Sequence, residues 1–214
     1  MLRDRRCLLV SLTANALAFI LLIVMIALPW PFDFAFPGIS VLSGDTVLPA
    51  KEFAIYLQAM QMNYAVDEIF IICWIIGWSA LCMQIGGHLK FILLLLGLAG
   101  PTLDFTENSY IWQMISMLER GQSANAQLMA SWRAIQHLSY IIPFSVSFLL
   151  LCGLYIQQTV GIALLLAGGL ATAIAIFGLY LPALEIATYL WWLLFFLTAS
   201  YISWVELRVN TNQQ

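Results

Sequence analysis

FILLLLGLAGPTLDFTENSYIWQMISML, residues 91–118, is long and apolar enough to cross a bilayer, yet it carries Asp104, Glu107 and Asn108 near its middle. A hydrocarbon core of about 30 Å takes roughly 20 helical residues, so Asp104 falls close to the midplane of this span. Ionisable side chains at that depth cost roughly 2.5–3.5 kcal/mol each on insertion scales, so they are expected to be paired or functional. On a helix these three residues sit at i, i+3 and i+4 and share one face. Gly97, Gly100 and Pro101 fall on or beside that face one to two turns earlier. Small residues permit close helix approach and proline frees a carbonyl, so the face is expected to point into protein and not lipid.

The remainder of the chain agrees with this setting. Of its 214 residues 63% are hydrophobic and only 9% charged, against about 25% charged in soluble domains, which indicates an integral membrane protein with one membrane domain, residues 1–214. There is no basic patch, Gly-rich phosphate loop or zinc-knuckle spacing, so nucleic-acid and nucleotide binding are not expected. The four cysteines, Cys7, Cys73, Cys82 and Cys152, form no C-x-x-C pair and read as apolar packing groups.

Six apolar spans are read at about 8–29, 57–84, 90–118, 132–156, 160–179 and 182–204, giving an all-α, polytopic transmembrane helix bundle. The first follows Arg3, Arg5 and Arg6; its apolar run is too long for a secretory signal and no A-x-A site follows it. Pro29-Trp30-Pro31 opens a loop in which Trp30, Phe32, Phe34 and Phe36 suit the headgroup region. The part of the second helical run before about Leu57 is expected to project or lie along the interface. With both termini cytoplasmic, the inner segments hold Arg3, Arg5, Arg6, Lys90 and Arg208 and the outer ones Lys51, Arg120 and Arg133.

That topology brings polar groups to a common depth. Asp67 and Glu68 lie in the outer half of span two, Asp104, Glu107 and Asn108 near the middle of span three, and Arg133, Gln136, His137 and Tyr140 form a stripe on span four. Glu185 opens span six. Asp104, Glu107 and His137 are the candidate catalytic groups. Asp67, Glu68, Asn108, Trp132, Arg133, Gln136, Tyr140, Trp74 and Glu185 are the candidate ligand-binding groups, with Asn108 orienting a ligand, Arg133 and His137 supplying counter-charge or a proton shuttle, and Trp74, Trp132 and Tyr140 as walls. Four carboxylates cannot all remain charged side by side in such a place, so either some carry protons or a cation is present.

Three uses fit. One is acid/base chemistry on a lipophilic substrate. Another is binding of a cation or amine by oxygen ligands with aromatic walls. The third is a buried ion-pair network that fixes helix register in a non-catalytic subunit. Proton- or cation-coupled transport is a further alternative, although no polar path continues inward. A multi-histidine zinc hydrolase lacks its ligands, a Ser/His/Asp hydrolase lacks its G-x-S-x-G elbow, and haem lacks axial ligands. No metal site is expected. The cofactor and any protein partner stay open; membrane lipid and a small lipophilic or amphiphilic ligand are the expected partners.

The layout resembles a group of uncharacterised bacterial six-helix membrane proteins, known as a domain of unknown function. The shared features are the acids early in span two (Asp67-Glu68), the acids within span three (Asp104, Glu107) and the charged residue opening span four (Arg133). The resemblance covers most of the chain by layout and implies a bacterial inner-membrane location without implying an activity.

Overall fold

The structure, a computed structural model, describes residues 4–27, 41, 48–157, 160–178, 180 and 185–211, with backbone alone at 178, 185–189, 210 and 211. Among the described residues it is all-α, with helices α1 (Arg5–Ala27), α2 (Ala50–Cys82), α3 (Leu89–Glu119), α4 (Ala126–Ile156), α5 (Ile162–Gly178) and α6 (Glu185–Thr211). Five of them are long and apolar enough to cross a membrane, and the apolar stretch Ile162–Phe177 is shorter. The aromatic loop Trp30 to Phe36 lies outside the described residues. All four cysteines are free.

Two helices extend ahead of the membrane spans read for them, as the helical run from Ala50 leads one to expect. α2 has 33 residues and begins directly after Pro49, so at 1.5 Å per residue it is about 50 Å long. In the stretch before Leu57, Ala50, Lys51, Glu52 and Ala54 are exposed, while Tyr56 is buried against α3 and α4. α4 begins at Ala126, where the Asn125 side chain accepts a hydrogen bond from the Leu128 N–H at 2.8 Å, satisfying one of the orphan donors of the first turn. The polar run 119–125 therefore contributes a cap as well as a connection.

Two glycines make the connections possible. Gly87 and Gly121 have φ of 69° and 72°, a region that side chains with a Cβ rarely occupy. At Gly121 the Gly121 N–H bonds Leu118 O at 2.9 Å and the Gln122 N–H bonds Met117 O at 2.9 Å, the paired closure of a Schellman motif.

Each helix packs on its sequence neighbours, and α6 returns to α1. Contacts between the helices fix their relative direction. Ser203 of α6 meets Ser11 of α1, Asn15 of α1 abuts Gly77 of α2, and Trp78 of α2 bonds the Leu93 carbonyl of α3. Arg5, Lys90 and Arg208 consequently lie toward one end of the bundle. At the other end Gln61 bonds Glu119 at 2.8 Å.

The interior has two apolar clusters. The larger one, toward the Arg5 end, draws on all six helices and is rich in rings: Phe70, Trp74, Trp78, Phe144, Trp191, Trp192 and Phe196. Trp74 and Trp192 meet edge to face at 4.8 Å, and Phe144 lies 4.4 Å from Trp191, within the range where aromatic pairs attract beyond simple burial. The smaller cluster, toward the Glu119 end, is built mainly from α2, α3 and α4, with Tyr56, Met60, Tyr64, Ile111, Met114, Ile115 and Trp132. The acids sit between the two.

Candidate functional site

On each of α2, α3 and α4 the buried face runs apolar, then polar, then apolar. On α2 the order is Met60, Asn63, Asp67, Phe70; on α3 it is Gly100, Glu107, Asn108, Ile111; on α4 it is Trp132, Ser139, Pro143. The interruptions coincide in level because the helices are antiparallel and tightly seated. A Cβ at Gly100 would stand 2.6 Å from Pro143 Cγ and 2.9 Å from Trp74 Cη2. Gly97 is closed by the Trp78 indole in the same way. These close approaches bring α3 against both neighbours immediately below the polar layer.

Within that layer, Asn108 Nδ2 donates to Asp67 Oδ2 at 2.7 Å. Ser139 Oγ donates to Glu107 Oε2 at 2.6 Å. Gln136 and Trp132 also face the Glu107 carboxyl, although the Trp132 indole N–H completes no hydrogen bond. One turn to the side, Trp112 Nε1 donates to the half-buried Glu68 at 2.9 Å. Asp104 is half-buried and accepts no hydrogen bond among the described residues. It is nonetheless near enough to Asp67 and Glu107 to interact with both electrostatically. Every hydrogen-bond donor named here is neutral.

The expected basic partners face elsewhere. Arg133 and His137 are exposed; His137 stacks flat on Tyr180 at 5.5 Å, and among the described residues neither forms an ion pair with an acid of the layer. The expectation that they supply counter-charge or a proton shuttle is therefore corrected. α4 turns Met129, Trp132, Ser139 and Pro143 inward, a face rotated by about one residue from the Arg133–His137–Tyr140 stripe. Charged groups near a helix end can keep their heads in water while their stems cover apolar surface, so such a stripe need not mark the buried side.

Two of the three expected walls are also elsewhere. Trp74 is buried in the ring cluster below the layer, and Tyr140 is half-buried at that cluster's edge, 6.0 Å from Phe144. Only Trp132 borders the acids. The Glu185 side chain lies outside the described residues. Sequence reasoning missed Ser139 as a partner of Glu107 and Trp112 as a partner of Glu68. The available signal for Ser139 was its register with Trp132 and Pro143 at i+7 and i−4.

Among the described residues no three His, Cys, Asp or Glu side chains come together in a way that could hold a metal ion. Comparison with protein families, curated proteins and solved structures finds no match for this chain.

Proposed function

We propose that this chain is an integral membrane protein that binds a small lipophilic or amphiphilic molecule at the acid layer between α2, α3 and α4. One observation carries the reading: Asp67, Asp104 and Glu107 share a level inside the bundle with neutral donors around them and, among the described residues, no basic side chain facing them. Carboxyls at such depth are costly, and a device meant only to hold helices together would include the opposite charge. Conversion of the ligand is not part of the proposal, because the histidine that would move protons faces away.

The same reading has six crossings with both termini cytoplasmic, in a bacterial inner membrane. In its support, Lys90 lies over the Phe91 ring at 4.9 Å and Arg208 over Trp204 at 4.0 Å, both at the Arg5 end, as expected for basic and aromatic anchors at a cytoplasmic interface. The seventeen residues of α5 span about 26 Å, a shortfall that local thinning accommodates. The bacterial location rests on the layout of acids. Against coupled transport, the ring cluster of Phe70, Trp74, Phe144 and Trp192 occupies the interior on the inward side of the acids.

A non-catalytic subunit is the second reading. It is favoured by the bonds Asn108–Asp67 and Ser139–Glu107, which tie α3 to both neighbours. Native mass spectrometry of the purified protein, combined with Glu107→Gln, separates the two. The ligand reading expects a co-purified small molecule that the variant loses while still folding. A variant that melts earlier, from a protein that never carried a ligand, means the acids serve only to pack helices.

A further inference from the structure

Among the described residues the acids of the layer face no basic side chain, and that describes the missing partner. Besides the carboxyls, Asn63 lies one turn before Asp67 on the same face of α2; it is 3% exposed and its Oδ1 has no donor. Buried acceptors without donors are rare in folded proteins and each one calls for an explanation. Here the Asn63 acceptor accompanies three carboxyls that face no basic side chain among the described residues.

We propose that the ligand is an amphiphile whose head is a protonated amine, seated between Asp104 and Glu107 with Asp67 and Asn63 as further acceptors. This rests on the reading that the layer takes a ligand at all. An ammonium supplies three donors and one positive charge, which suits both the carboxyls and the Asn63 acceptor; an alcohol head supplies one donor and no charge, and a carboxylate head supplies neither. Trp132, 1% exposed beside Glu107, gives the cation an aromatic neighbour. The head reaches the layer through Asp104, which is half-buried and has the exposed Phe105 next to it on α3. A tail attached to that head stays among the bilayer chains.

The test uses the full chain in maltoside micelles, with melting followed against octylammonium, 1-octanol and octanoate at equal concentration. Octylammonium is expected to raise the melting temperature in a saturable way, and the other two are not. Asp104→Asn changes an acid of the layer that accepts no hydrogen bond among the described residues, so it should fold normally while binding octylammonium ~10-fold or more weakly. Glu107→Gln is the second variant and should weaken it likewise. Equal stabilisation by 1-octanol would keep the ligand reading and overturn the amine. Stabilisation by none of the three would overturn both. An octylammonium effect that survives in both variants places the cation elsewhere and also overturns the proposal.

Discussion

Two polar regions interrupt this apolar bundle, and they are built on opposite plans. Between α1, α2 and α6, Asn15 Nδ2 donates to Ser11 O at 2.7 Å and to Ser11 Oγ at 3.1 Å. Ser203 Oγ lies 2.9 Å from both Ser11 Oγ and Ala199 O, close enough for its one proton to bond either. Gly77 leaves the room in which Asn15 lies. Each group in this seam is neutral, short-ranged and matched within the protein. Between α2, α3 and α4 the buried groups are acids, and among the described residues no basic side chain faces them and Asp104 accepts no hydrogen bond. Small residues with matched hydroxyls and amides are how membrane helices adhere. An unmatched acid layer is how a bundle would hold something else.

The comparison is broken most severely from the seam side. Gly77→Leu places carbon where Asn15 now sits, since even a Cβ would be 2.7 Å from Asn15 Oδ1. It should cost about 3 kcal/mol, the upper range for overpacking, and show as a large drop in melting temperature with or without amine. The acid layer should respond in the other way. Asp104→Asn and Glu107→Gln are expected to stay within about 1 kcal/mol of the parent in stability, or to gain, because a buried charge without a counter-charge is removed; octylammonium stabilisation should be lost. If either variant instead unfolds as Gly77→Leu does, both regions are packing devices and the contrast disappears.

Smaller effects sharpen it. Ser203→Ala deletes one interhelical hydrogen bond and should cost about 0.6 kcal/mol, the average for such bonds in membranes, with amine binding unchanged in a titration. His137→Ala should change amine affinity least of all, because the ring stacks on Tyr180 outside the layer. A clear loss of binding in that variant would return the histidine to the site.

Much of this arrangement is legible in the residues themselves. The apolar runs give the helices. The i, i+3, i+4 placing of Asp104, Glu107 and Asn108 beside Gly97, Gly100 and Pro101 marks the buried side of α3, and Glu107 and Asn108 are indeed buried. α4 was not legible in the same way. Arg133, Gln136, His137 and Tyr140 make a better polar stripe than Trp132, Ser139 and Pro143, yet the second set faces the acids.

The chain alone thus determined its apolar helices and the acids they carry, because hydropathy and helical spacing are local properties. Only tertiary packing decided how α4 is rotated. The contact of Pro143 with Gly100 and the bond from Ser139 to Glu107 join residues more than thirty positions apart, and they select one of two faces that are both plausible along the helix. That rotation turned Arg133 and His137 outward and left no basic side chain facing the acid layer among the described residues.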